Sequence, residues 1–61
     1  MNEKMFFSNL KNMRENGVIK WCKGKNKNSD LYLTLLEFAK EIEDEENTIF
    51  LENNLNLIKT I

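Results

Sequence analysis

Glu37, Glu41 and Glu45 recur at intervals of four residues, with Asp44 beside the last of them. On a helix this spacing sets consecutive carboxylates about 6 Å apart along one face. That is close to the separation of phosphates along a nucleic-acid strand. The chemistry such a row offers is recognition. It presents a negative surface to a basic protein, up to imitating DNA inside a nucleic-acid-binding groove. Its ordinary reading is a solvated helix face. A second cluster has the opposite sign: Lys20, Trp21, Lys23, Lys25 and Lys27 fall within residues 20–27. Lysines neutralise phosphates and an exposed tryptophan stacks on a base, so this segment offers a grip on nucleic acid. Against it stands the formal net charge of −1, unusual for a nucleic-acid binder. The ordinary reading puts Trp21 in the core, with the lysines keeping a loop soluble.

Catalytic constellations are missing. The chain has no histidine, and so lacks the commonest general base and metal ligand. Its two glycines, Gly17 and Gly24, stand too far apart for a phosphate loop. Cys22 has Lys20 and Lys23 nearby, which favour a thiolate, but no base with which to form a nucleophilic pair. A single cysteine cannot close an intrachain disulfide, and a Cys/His zinc site lacks ligands. The expectation is a chain with no enzymatic activity, no cofactor, no metal and no small-molecule substrate. No apolar run reaches the roughly 18 residues of a membrane span. The start lacks the apolar core of a signal peptide, because Ser8, Asn9, Lys11 and Asn12 interrupt it. With a lone cysteine, these features point to the cytoplasm.

The charges are segregated. Residues 1–27 carry a net +5 and residues 28–61 a net −6. Such polarity can steer a partner, draw the two halves together, or let two copies pack head to tail. Ten asparagines and eight lysines, both with A/T-rich codons, suggest an A/T-rich genome such as that of a phage or mobile element.

The elements that must position these groups fit one domain of 61 residues. Residues 3–15 read as a helix with Phe6, Leu10 and Met13 on one face, stopped at Asn16-Gly17, where Gly17 can adopt a left-handed cap. Residues 18–23 read as a strand from their β-branched and aromatic content, and residues 24–29 as a polar loop. A second helix starts at Ser29 or Asp30, with Leu31, Leu35, Phe38 and Ile42 as its stripe and Leu36 and Ala39 widening it. A rival start is the capping box Thr34…Glu37, which would free residues 31–33 to pair as a strand. The length of the stripe favours the longer helix, with the acids at 43–46 fraying its negative C-terminus. Residues 48–51 and 55–61 read as a hairpin around Asn53-Asn54. The alternative is a helical C-terminal segment, with Leu51, Leu55 and Ile58 on one face.

One local likeness stands out. Thr34-Leu35-Leu36-Glu37-Phe38-Ala39-Lys40-Glu41-Ile42 is similar to the opening helix of helix-turn-helix regulators, and Ile49 falls where those motifs keep an apolar residue. The sequence departs from them where the tight-turn glycine is Glu43. It departs again where the stretch that should enter the major groove is Asp44-Glu45-Glu46-Asn47-Thr48, which would repel the DNA backbone. The likeness covers residues 34–49 and is not a family assignment.

The sequence thus predicts an α+β domain of order α-β-α-β-β, two helices on a three-stranded, mostly antiparallel sheet; the alternative is a mainly α chain. The expected core is Phe6, Leu10, Met13, Ile19, Leu31, Leu35, Phe38, Ile42, Phe50 and Leu57. The expected function is a small protein-binding modulator, such as a phage or mobile-element inhibitor of a nucleic-acid-handling host protein. It would act through Glu37, Glu41, Asp44 and Glu45 on a basic partner surface. The alternatives are a nucleic-acid-binding regulator using Lys20, Trp21, Lys23, Lys25 and Lys27, and a homo-oligomeric module. Association would supply the stabilisation that a small core lacks.

Overall fold

Phe6, Leu10 and Met13 occupy one face of the first helix and are all buried. The computed structural model describes residues 1–24 and 29–59, and in it helix α1 spans Glu3–Asn16. Its start is fixed by Asn2, whose side-chain oxygen accepts from the Met5 N–H at 2.8 Å. Its end is fixed by Gly17, at φ 93° and ψ 147°, a backbone conformation largely reserved for glycine. This is not the left-handed helical cap expected, although the stop falls where the sequence puts it.

Beyond Gly17 the chain forms a second helix and not a strand. Helix α2 spans Val18–Gly24, and the Gly17 carbonyl accepts from the Trp21 N–H at 3.0 Å. The reason lies in spacing. Val18, Trp21 and Cys22 stand at i, i+3 and i+4, and all three are buried. An alternating strand would have carried a lysine onto each apolar side. Burial of a helical face overrides the β-propensity of Val18 and Ile19.

Helix α3 spans Ser29–Glu41. The capping box at Thr34 is not used: the Thr34 hydroxyl donates to the Asp30 carbonyl at 2.9 Å, in mid-helix. The fully packed stripe is Tyr32, Leu35, Leu36 and Ala39, while Leu31, Phe38 and Ile42 flank it half-buried. The expected stripe is therefore rotated by about one residue.

A Schellman turn ends α3. The Glu43 N–H donates to the Lys40 carbonyl at 3.1 Å and the Asp44 N–H to the Ala39 carbonyl at 2.9 Å. Glu43 sits at φ 58°, the sole positive φ outside glycine among the described residues. The acids after Glu43 do not fray this helix; they start the next one. Helix α4 spans Glu45–Asn53, capped by Asp44, and Glu45 and Glu46 lie at its positive end. Helix α5 spans Leu55–Lys59.

The expected α+β fold is therefore overturned: five helices and no strand form among the described residues. The hairpin at 48–61 is replaced by α4 and α5, with Thr60 and Ile61 outside the described residues. Leu51 and Ile58 are buried and Leu55 is half-buried, at i, i+7 and i+4. Burying a leucine or isoleucine gains about 1.5–3 kcal/mol, which exceeds the few tenths each asparagine costs in a helix. Asn54 makes no hairpin turn. Its φ is −101°, and its side-chain amide donates to the Phe50 carbonyl at 2.8 Å.

The elements close around one core. Tyr32 is fully buried and donates its hydroxyl to the Leu51 carbonyl at 2.6 Å, joining α3 to α4. Trp21 packs edge-on to Tyr32 with ring centroids 6.2 Å apart, and Phe6 meets Phe38 at 5.1 Å. Arg14 ties α1 to α4: it donates to Asn47 at 2.6 Å and lies 4.2 Å from the centroid of the Phe50 ring. Two expected core residues, Ile19 and Leu57, are exposed.

Candidate interaction surface

The acidic residues divide into those the fold uses and those it leaves to solvent. Asp44 is used. Its Oδ1 accepts from the Asn47 N–H at 3.2 Å and its Oδ2 from the Asn47 side-chain amide at 2.6 Å. It is half-buried at the α3–α4 turn. Glu46 lies 4.0 Å from Arg14, and Glu52 lies 3.8 Å from Lys40. Both pairs are exposed, of the kind worth about 0–1 kcal/mol.

Glu37, Glu41 and Glu45 are exposed and form no ion pair with any of the described residues. Glu37 and Glu41 share one face of α3, one turn apart. Glu45 does not continue that row on the same helix, because the Schellman turn intervenes and Glu45 opens α4. The predicted single row of carboxylates is thus broken into a pair on α3 and one residue on α4. Glu43, in the turn between them, is also exposed. Exposed carboxylates thus lie on α3, in the turn and at the start of α4.

The basic cluster fares differently. Trp21 is 3% exposed, and its indole Nε1 donates to the Asn9 side-chain oxygen at 3.1 Å. It is a core residue with its one polar atom already bonded, so no face is offered to a nucleic-acid base. Lys20 and Lys23 are exposed on the outer side of α2. Lys25 and Lys27 lie outside the described residues. Cys22 is buried beside Trp21 as a free thiol.

Sequence reading missed one surface altogether. Beside Lys20 and Lys23 an open groove of about 550 Å³ runs between α2 and α5, lined by Asn16, Gly17, Val18, Ile19, Asn54 and Leu57 as well. Ile19 and Leu57 face it while 41% and 43% exposed. The strand reading of 18–23 hid this. A helical period places Ile19 and Lys23 on the flank of the buried face formed by Val18, Trp21 and Cys22, and would have found it.

The helix-turn-helix likeness extends to the turn and stops there. Glu43 takes the positive φ expected of the turn glycine, but Ile49, at the apolar position, is 49% exposed. Among the described residues no group of three or more His, Cys, Asp or Glu is placed to hold a metal ion, and no helix is long and apolar enough to cross a membrane. Comparison with protein-family models, with curated proteins and with solved structures finds no match to this chain.

Proposed function

We propose that this chain is a small, non-enzymatic protein-binding modulator that engages a basic surface through Glu37, Glu41 and Glu45. One observation carries the reading. These three carboxylates are exposed and unpaired among the described residues, while Asp44 is bonded within the fold and Glu46 and Glu52 form exposed ion pairs. Carboxylates held on rigid helices and free of internal partners are available to steer and register a cationic partner. Asp44 belongs to the scaffold of the site and not to its contact set.

A basic groove that normally holds nucleic acid is a partner of that chemistry, and on this reading the chain is an inhibitor of a nucleic-acid-handling protein. The cytoplasm is the compartment, and a phage or mobile element the source, in keeping with composition and charge. The direct nucleic-acid-binding alternative loses its aromatic component, because Trp21 is internal.

The test is affinity capture from host extract with the wild-type chain and with the Glu37→Lys/Glu41→Lys/Glu45→Lys variant. The expected result is a basic protein retained by the wild type and lost with the variant. Equal recovery on both would refute the reading.

A further inference from the structure

We propose that the groove between α2 and α5 receives helix α4 of a second copy of this chain, in a head-to-tail contact. The inference does not rest on the partner proposed above. It comes from two surfaces that complement each other in polarity and charge. The groove has an apolar floor in Ile19 and Leu57, with Lys20 and Lys23 at its side. On α4, Ile49 stands 49% exposed with Glu46, Glu45 and Glu52 three, four and three residues away. On a helix those positions surround Ile49, so an apolar knob is ringed by carboxylates. Ile49 does not line the groove, so knob and groove are separate surfaces of one molecule.

A knob on one surface meeting a groove on another is a heterologous contact, which extends or closes into a ring instead of stopping at a symmetric pair. Seating Ile49 on Ile19 and Leu57 removes three exposed apolar side chains from water. Lys20 and Lys23 then face Glu45, Glu46 and Glu52. The pairs Glu46 and Glu52 already make, with Arg14 and Lys40, are exposed and exchange readily. One knob seated in one short groove belongs to the small, transient class of interfaces, below about 1,200 Å² in total. Association is therefore weak, concentration-dependent and weakened by salt.

The experiment is sedimentation of the full chain from about 10 µM to about 1 mM at low salt, with circular dichroism to verify that each variant is helical. The wild type should rise in average mass above 7.3 kDa with concentration. Ile19→Glu, which spoils the groove, and Ile49→Lys, which spoils the knob, should each remain monomeric. Lys20→Glu/Lys23→Glu provides a second groove variant, at residues exposed to solvent, and should lose the association as well. An equimolar mixture of Ile19→Glu and Ile49→Lys retains one good groove and one good knob, and should form a dimer and nothing larger. An invariant wild-type monomer overturns the proposal. So does association of either single variant alone, or a mixture that remains monomeric.

Discussion

The indole nitrogen of Trp21 donates to the side-chain oxygen of Asn9 across 3.1 Å, joining α2 to α1 inside the molecule. This bond removes the residue that made residues 20–27 resemble a nucleic-acid grip. It also defines α2 as a core element, with Val18, Trp21 and Cys22 turned inward and Ile19, Lys20 and Lys23 turned outward.

Trp21 fluorescence should therefore report folding and not nucleic acid. Adding a single-stranded oligonucleotide at about 50 mM salt should leave the emission unchanged, and urea should shift it to the red. Strong quenching by the oligonucleotide would show that the indole is accessible.

Asp44 and Glu37 are both acidic, yet they should behave differently. Asp44→Ala removes the cap of α4 and should cost about 1 kcal/mol of stability. Glu37→Gln alters an exposed side chain and should fall within about 0.5 kcal/mol of wild type. Urea midpoints at constant slope distinguish the two.

The two positive-φ positions should respond oppositely to substitution. Glu43→Gly relieves a side chain held at φ 58° and should raise stability by about 0.5–1 kcal/mol. Gly17→Ala forces a Cβ onto φ 93° and should lower stability by about 1 kcal/mol or more, although the space beside Gly17 is open. Thermal midpoints should move up by several degrees for the first and down for the second. A fall for Glu43→Gly would contradict the Schellman geometry.

Tyr32 makes the fold sensitive to alkali. Burial pushes its phenol up from 10.0 to about 12, because the charged form loses its hydration. The fold favours the neutral phenol, so this contribution is complete below pH 10 and is lost as pH rises towards 12. A displacement of that size corresponds to on the order of 2–3 kcal/mol. Tyr32→Phe should be less stable at neutral pH, because the Leu51 carbonyl loses its donor. Its stability should then decline less steeply than that of wild type above pH 10. Parallel declines would show that other groups carry the alkaline loss.

The first and third helices were legible in the sequence. Phe6, Leu10 and Met13 signal α1 by spacing alone, Gly17 marks its end, and the apolar stripe of α3 outweighs the rival capping box at Thr34. Helix α2 was not, and the helical state of the C-terminal segment was present only as the alternative, with Leu51, Leu55 and Ile58 on one face. Val18 and Ile19 favour strands locally, and residues 48–61 combine β-branched residues with asparagines that suit turns. Their helical state is decided by packing, through the burial of Trp21, Cys22, Leu51 and Ile58 in the one core they share with residues of α1 and α3. The exposure of the acidic residues was legible in part. The identities of Glu37, Glu41 and Glu45 were visible, but one continuous helical row was not the right geometry, because only the turn at Glu43 reveals that α3 has ended. The groove beside Ile19 was out of reach for as long as that residue read as core.

The proposed contact surface for a basic protein comprises Glu37, Glu41 and Glu45. The most direct test is an amide NMR footprint of the labelled chain with the captured partner added. The signals most perturbed should cluster at Glu37, Glu41 and Glu45, and added salt should reverse the change. Perturbation centred instead on Lys20 and Lys23, with Glu37, Glu41 and Glu45 unaffected, would contradict that assignment.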